Sequence, residues 1–328
     1  SSAGIFDVSH MGRLDISGND STLVLDSVFS SNVYRLQVGR AKYGVVCNLQ
    51  GGIIDDCILY RQENARYLLI PNAANTSVVL DWLIQHIPAG SAISVENKTT
   101  NLGMVSIQGP DAVDILSSDV QTDLKLIKPF HHITTQIQGF PGFIARTGYT
   151  GEDGFELSIP NSVINYLIND FMPDNKVILC GLGCRDSLRL EAGLCLYGNE
   201  LYEEITPVEA NLSWTVSKER IKSGGFNGHQ IISKQKQEGV SQKRVGILLK
   251  SKSILRSKMK LFNENNQNIG TITSGGYSPT LNTSIGMAYI NKIFLNNSSK
   301  ILCSIRNKLE EVELINLPFI KHNYRKGF

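Results

Sequence analysis

Two aspartates side by side at the exit of a glycine turn, Gly51-Gly52-Ile53-Ile54-Asp55-Asp56, are the first candidates for chemistry. Successive residues of a strand point to opposite faces, so one carboxylate is expected to face inward and the other solvent. An inward carboxylate needs a partner or a ligand, because an unpaired buried charge is costly. A turn aspartate that hydrogen-bonds nearby backbone is the plainer alternative. A second candidate is the run Arg146-Thr147-Gly148-Tyr149-Thr150-Gly151-Glu152-Asp153-Gly154-Phe155-Glu156. Its three glycines allow close backbone approach. Tyr149 offers a ring to stack on a flat ligand, and Glu156 could accept two N–H bonds side by side. A carboxylate facing a guanidine-like edge is the usual physical answer to the amino and ring N–H donors of a pterin. The alternative is a Gly-rich loop with solvated acids.

A third segment, residues 177–191, reads as a strand, a glycine turn and a helix. Gly181 and Gly183 lack the third glycine of a dinucleotide fingerprint, and no acidic strand end follows at the required distance. Arg185 at the helix start suits a carboxylate ligand, while Arg189 and Glu191 read as helix-surface charges. No Ser/His/Asp set, phosphate loop or zinc-binding helix is present in the sequence.

The elements that must hold these residues follow from periodicity. Residues 11–17 alternate as a strand, and Asn19-Asp20-Ser21 resembles a helix start. Residues 41–48 and 53–61 read as a hairpin around Asn48-Leu49-Gln50-Gly51-Gly52. Residues 67–71, 102–108, 143–147 and 154–159 read as further strands. Residues 76–87, 113–116, 163–171 and 185–194 read as helices, with Val79, Leu80, Leu83 and Ile87 on one face of the first. After Ser217 the pattern becomes short strands at 244–250, 258–263, 269–274, 285–290, 300–306 and 311–316 with no strong helix, which suggests a small barrel or sandwich. Helices and strands mix without regular alternation, so the fold class is α+β.

The 328 residues suit two or three domains. No apolar run approaches the length that spans a bilayer, and no secretory signal is visible at the N-terminus. The six cysteines form no C-x-x-C pair and read as reduced, buried thiols, and no zinc spacing is evident. The net charge of +2 is unevenly spread: residues 218–328 carry 19 Lys and Arg against 6 Glu and no Asp. Such an excess points to a boundary near 218 and to an acidic or polyanionic partner, or else to a solvated lysine-rich surface. A nucleic-acid binder would interleave aromatic and basic residues, and this region does not.

Taken in order, the segments resemble the aminomethyltransferases. The matching stretches are Gly4–Gly12, Asn48–Asp56, Asn72–Asn75, Gln108–Pro110, Arg146–Glu156, Gly181–Asn199, Pro207–Trp214, Thr273–Leu281 and Pro318-Phe319. Folate-using relatives built for iron–sulfur assembly carry a K-G-C-Y/F-x-G-Q signature. Here that region reads Gly224-Gly-Phe-Asn-Gly-His-Gln230, which argues against them. Sarcosine and dimethylglycine dehydrogenases carry a flavin domain, for which this chain has no room.

The resemblance implies a three-domain cloverleaf of antiparallel sheets with folate in the central hole and a small C-terminal β-barrel. Residues 1–217 would form two interwoven subdomains, roughly 13–107 and 1–12 plus 108–217, with residues 218–328 as the basic barrel. The implied reaction takes the methylene from aminomethyl-lipoyl H-protein to tetrahydrofolate, releasing ammonia. Asp56 would be the central acid, Glu156 would grip the pterin and Arg185 would bind a folate carboxylate. Tyr43, Tyr60, Asn72, Tyr149 and Trp214 would line the pocket, Met11 would pack on the ring and Tyr324 resembles a C-terminal pocket residue. The basic residues of 218–328 would gather at the entrance for the acidic H-protein and the polyglutamate tail. No metal, nucleic acid or membrane is implied. A monomer is implied, in the mitochondrial matrix of a eukaryote or otherwise in the cytoplasm.

Members of the family usually begin earlier, with a segment containing a Gly-Trp pair close to the pocket, so a trimmed or shortened chain is implied. Lesser departures are Asn211, where a small residue is common, and Arg325, where an aromatic often follows Tyr324. A non-catalytic folate-binding scaffold of the same fold is the rival reading.

Overall fold

The computed structural model describes residues 3–171, 177–295 and 300–324. Arg325 lies outside the described residues. The chain begins in one sheet, leaves it to build a second, and returns. Strand β1 (Ala3–Asp7) belongs to a six-stranded sheet. The chain then forms β2 (Leu14–Ser17), α1 (Ser21–Val28), β3 (Ala41–Cys47), β4 (Ile53–Glu63), β5 (Arg66–Ile70), α2 (Thr76–Gln85) and β6 (Ser94–Asn97). These five strands make an antiparallel sheet of order β3-β4-β5-β2-β6. The β3–β4 turn needs a left-handed residue, which Gly51 supplies at φ +80°. Asn48 Oδ1 fixes the turn by accepting the backbone N–H of Gln50 and Gly52.

Strand β7 (Leu102–Gln108) returns to β1. Helix α3 (Ala112–Leu116), β8 (His132–Ile137), β9 (Phe140–Ala145), β10 (Gly154–Pro160), α4 (Asn161–Phe171) and β11 (Val177–Leu179) follow. They complete the sheet order β11-β1-β7-β10-β9-β8. One face of this sheet buries Val105, Ile107, Phe155 and Leu157 with Val113, Leu116 and Val163 of the helices. Its other face presents Phe6, Met104, Phe143 and Ala145 to Tyr60, Leu68 and Ile70 of the five-stranded sheet. Antiparallel sheets often leave one face wet. Here the two sheets cover each other.

Helix α5 (Leu182–Glu191), α6 (Lys218–Ser223) and α7 (His229–Glu238) lead to six strands, β12 (Gln242–Leu249), β13 (Lys260–Asn263), β14 (Asn268–Ser278), β15 (Thr283–Asn291), β16 (Ile301–Ile305) and β17 (Lys308–Ile315). These close into a barrel of order β12-β15-β14-β13-β16-β17 around Ile247, Leu261, Ile272, Ala288 and Cys303. Closure leaves no free sheet edge. The α+β class, the antiparallel sheets and the terminal barrel match the expectation.

The expectation of no strong helix after Ser217 fails at α6 and α7. Helix α7 reads His-Gln-Ile-Ile-Ser-Lys-Gln-Lys-Gln-Glu, and Ile232 is its only buried residue, so its apolar stripe is too thin to register as a period. Helix α6 spans six residues and starts where Ser217 Oγ accepts the Arg220 N–H. Phe226 and Ile232 join a core with Val45, Cys47, Ile53, Cys195 and Tyr289, which ties this stretch to the five-stranded sheet as well as to the barrel. Asn211 sits at φ +59°, a left-handed conformation that asparagine tolerates better than most residues.

Candidate functional site

Strand alternation places Asp56, Ile58 and Tyr60 on one face of β4. Val45 stands directly opposite Asp56 and Tyr43 opposite Ile58, so all share that face. The Tyr43 hydroxyl reaches diagonally across the pair and donates to Asp56 Oδ2 at 2.9 Å. Asn72, just beyond the end of β5, donates from Nδ2 to Asp56 Oδ1 at 2.8 Å. Burial pushes the Asp56 carboxyl up to about 7, and the neighbouring charge of Asp55 adds to the rise. Trp214 is 65% exposed and stacks on Tyr43, with ring centroids 5.6 Å apart.

Asp55 faces the opposite side of the strand, as alternation requires, but that side is not solvent. Asp55 is fully buried, because α2 and the turn before it cover the sheet. It accepts the Asn72 N–H at 2.8 Å, Asn72 Nδ2 at 2.8 Å and Asn75 Nδ2 at 3.1 Å. Asn72 therefore bridges the two carboxylates and fixes their separation. Asn75 stands in the sequence only as the end of the Asn72–Asn75 stretch, with no role in the site assigned to it.

Glu156 lies on β10 between Ser106 of β7 and Ala145 of β9. It is buried, and burial raises its carboxyl above the usual range, opposed by the Thr147 hydrogen bond and by Arg185. Thr147 Oγ1 donates to Glu156 Oε2 at 2.6 Å, and the Tyr60 hydroxyl meets Thr147 Oγ1 at 3.0 Å. The hydroxyl of Tyr60 is the donor of that second bond, since Thr147 spends its one proton on Glu156. Thr147 lies within the motif that pointed to Glu156, yet only the folded chain shows that it carries the link. Ser106, directly across from Glu156, is buried with a hydroxyl that has no hydrogen-bond partner. A polar ligand against Glu156 would satisfy it, so the residues present fit a pterin edge.

The Arg185 guanidinium lies 4.6 Å above the Tyr149 ring. The Tyr149 hydroxyl donates to the Cys195 carbonyl. Burial holds that hydroxyl well above its ordinary value, and the charge of Asp56 adds to the effect. Tyr149 thus stands within electrostatic reach of Asp56 while its ring carries Arg185. Met11 is half-buried against the cluster of Tyr60, Phe143 and Leu188. Tyr324 stands apart from the others, with its ring against His322 at 5.1 Å. Its segment lies on the glycine loop, where the Asn323 N–H donates to the Gly151 carbonyl at 2.8 Å.

Two readings of the α5 region are corrected. Arg189 and Glu191 are buried, not surface charges. Arg189 pairs with the fully buried Glu200 at 3.0 Å and donates to Ser274 Oγ at 2.8 Å. Glu191 accepts from the Thr280 N–H at 3.1 Å and Thr280 Oγ1 at 2.8 Å, and from Ser278 Oγ. These bonds clamp α5 to the barrel and so set where Arg185 points. The cysteines are all free, but Cys184 is exposed and Cys180 partly so, because the start of α5 is open. Among the described residues no group of His, Cys, Asp or Glu is arranged to hold a metal, and no helix is long and apolar enough to cross a membrane.

Comparison with known proteins places this architecture. Residues 1–220 match the GCVT N-terminal domain, and residues 242–321 match the glycine cleavage T-protein C-terminal barrel domain. An aminomethyltransferase of Listeria innocua is 39% identical over 320 residues, covering 97% of this chain and 87% of the relative. One of Bacillus subtilis is 37% identical over 323 residues, covering 97% and 88%. These relatives are bacterial and lend the mitochondrial expectation no support. The crystal structure of the glycine cleavage system aminomethyltransferase T of Bartonella henselae superposes with a TM-score of 0.93 at 31% identity, covering 99% of this chain and 88% of that one. Two family domains in order, relatives matched from end to end of the chain and a shared three-body fold carry one conclusion: the chain belongs to the aminomethyltransferase family, the T-proteins of the glycine cleavage system.

Proposed function

We propose that the chain takes the methylene group from aminomethyl-lipoyl H-protein to tetrahydrofolate, releasing ammonia and leaving 5,10-methylenetetrahydrofolate and dihydrolipoyl H-protein. The observation that carries this reading is the pairing of a half-buried carboxylate, Asp56, with a buried one, Glu156, on facing sheets. Asp56 is held by Tyr43 and Asn72, and Glu156 by Thr147 beside an unpartnered Ser106 hydroxyl. Tetrahydrofolate, when bound, supplies the nitrogens that accept the carbon.

The chain's own residues bind and orient. Glu156 and Ser106 suit the pterin edge, and Arg185 suits a folate carboxylate. Tyr60, Tyr149 and Met11 wall the space, with Trp214 at its outer side and Tyr324 at its rim. Asp56 gives electrostatic support to the cationic carbon during transfer and need not act as a free base. Its two fixed hydrogen bonds keep one carboxylate orientation without reorganisation at the moment of reaction. The domain division proposed with this reading is 1–217, as two interwoven halves, and 218–328. Turnover of methylamine-loaded H-protein tests the reading. Ammonia release that depends on tetrahydrofolate supports it, whereas folate binding with no ammonia release favours the scaffold.

A further inference from the structure

Two of the six cysteines stand apart from the rest. Cys47, Cys57, Cys195 and Cys303 are buried, and burial pushes the Cys47 and Cys195 thiols up to about 12. Buried thiols of this kind are inert. Cys180 is partly exposed and Cys184 exposed, on either side of the start of α5. Burial pushes the Cys180 thiol up to about 11, and a hydrogen bond with the Cys184 thiol adds to the rise, so the two side chains meet. Cys180 is fixed in place. Its N–H donates to the Ile5 carbonyl at 2.9 Å and its thiol to the Ile178 carbonyl at 3.4 Å. Its sulfur lies over Gly4, 2.8 Å from where a Cβ there would stand. Cys184 is held less firmly, in the first turn of α5 behind Gly181 and Gly183. Among the described residues nothing lies within 4 Å of the place a Cβ would take at either glycine. The turn therefore has room to bring one sulfur onto the other, as a disulfide requires.

We propose that Cys180 and Cys184 form a redox modification site, which reacts with a small-molecule disulfide and closes into a disulfide of its own across the start of α5. The exposed Cys184 gives up its proton and attacks the first sulfur of the small disulfide, forming a mixed disulfide. The second sulfur leaves as a thiolate and takes up a proton. Cys180 then gives up its proton and attacks the Cys184 sulfur, and the first sulfur leaves as a thiol. The protein loses two hydrogens and two electrons, and the small disulfide becomes two thiol groups. In the mixed disulfide Cys184 carries neither charge nor proton. Its contribution to the rise at Cys180 is then gone at the step where Cys180 must ionise. Cyclic aliphatic disulfides of the lipoyl type and linear ones of the glutathione type share this chemistry. Leu179 and Leu182 beside the pair are 55% and 71% exposed and favour the aliphatic type.

Arg185 follows Cys184 directly, and its N–H donates to the Gly181 carbonyl at 3.1 Å. Drawing Cys184 onto Cys180 shifts this turn and with it the guanidinium that lies over Tyr149. Oxidation then weakens the folate contact of Arg185, a consequence that rests on the folate reading above.

The experiment treats the full chain with oxidised lipoamide or oxidised glutathione and removes the oxidant. Mass spectrometry after alkylation maps the linkage, and calorimetry measures tetrahydrofolate affinity before and after. A Cys180–Cys184 linkage is expected, reversed by dithiothreitol. Folate affinity of the oxidised form is expected to be about tenfold weaker, the loss of one charge-assisted hydrogen bond. Cys184→Ser should bind folate as the parent does and ignore both oxidants. Cys180→Ser should stop at a glutathione adduct on Cys184. Faster linkage by lipoamide assigns the site to lipoyl-type disulfides, and faster linkage by glutathione to linear ones. Free thiols at both positions after treatment, or an adduct on Cys184 of the parent that never resolves, overturn the site. A linkage that leaves folate affinity unchanged overturns its action through Arg185. Folate binding by neither form overturns the folate reading and leaves the linkage standing.

Discussion

Replacing each aspartate of the Asp55-Asp56 pair by asparagine should separate chemistry from folding. Asp56→Asn removes the charge that faces the pocket and keeps an acceptor oxygen for only one of its two donors, Tyr43 at Oδ2 or Asn72 at Oδ1. Losing a preorganised electrostatic contact of this type costs about 10²–10³ in turnover. Asp55→Asn removes a buried acceptor shared by Asn72 and Asn75 and should cost about 2–4 kcal/mol of stability, with a smaller loss of turnover. The pH dependence follows from the raised pKa. If the ionised form supports transfer, kcat/KM rises with pH through about 7. Because the charge of Asp55 contributes to that rise, the limb should move to lower pH in Asp55→Asn.

Stability runs the other way. The folded pKa of Asp56 stands above its ordinary 3.8, so between about 4 and 7 the folded state holds the proton that the unfolded chain has released. This contribution is present at low pH and is lost as pH rises through the folded pKa. The stability of Asp56→Asn relative to the parent should therefore improve by about 2 kcal/mol between pH 5 and pH 7, somewhat under two units at ~1.4 kcal/mol each because the folded group is half titrated near pH 7. The assays are ammonia release from loaded H-protein and urea unfolding at each pH. Equal turnover losses in the two variants, together with a pH-independent stability difference, would refute the assignment.

Glu156→Ala should weaken tetrahydrofolate binding by about 2–4 kcal/mol in calorimetry, since it removes a charged acceptor from a closed site. Thr147→Val should weaken folate binding less and cost about 1–3 kcal/mol of stability, because the Tyr60 hydroxyl loses its acceptor and Glu156 its donor. Arg189→Ala leaves Glu200 buried and unpaired, and thermal or urea unfolding should show a loss of about 3–5 kcal/mol. If the basic surplus of 218–328 serves the acidic H-protein, the apparent KM for that protein should rise between about 0.02 and 0.3 M salt; a flat KM contradicts it.

What the sequence made legible was whatever depends on period and turn chemistry. The 41–61 hairpin, its Gly51 turn and the six barrel strands fall where alternation and Asn/Gly punctuation put them. Asp56 was legible as one of an acid pair entering an apolar strand and Glu156 as the acid that ends a glycine-rich run, and the family resemblance implies a role for each. Burial by distant segments was not legible. Asp55 looks solvent-facing until α2 covers its side of the sheet. Arg189 and Glu191 look like surface charges until β14 and the turn after it arrive with Ser274, Ser278 and Thr280. Thr147 reads only as the end of a strand until Tyr60, 87 residues away in sequence, closes on it. Each of these is a long-range contact, which no local pattern encodes.

The central claim is that one folate lies between Asp56 and Glu156, against both facing sheets. A crystal structure of the chain with a bound reduced folate tests it most directly. The pterin edge is expected within hydrogen-bond distance of the Glu156 carboxylate and the Ser106 hydroxyl, with Asp56 facing the nitrogens that receive the carbon. Folate bound elsewhere, with Glu156 still bonded only to Thr147, would contradict it.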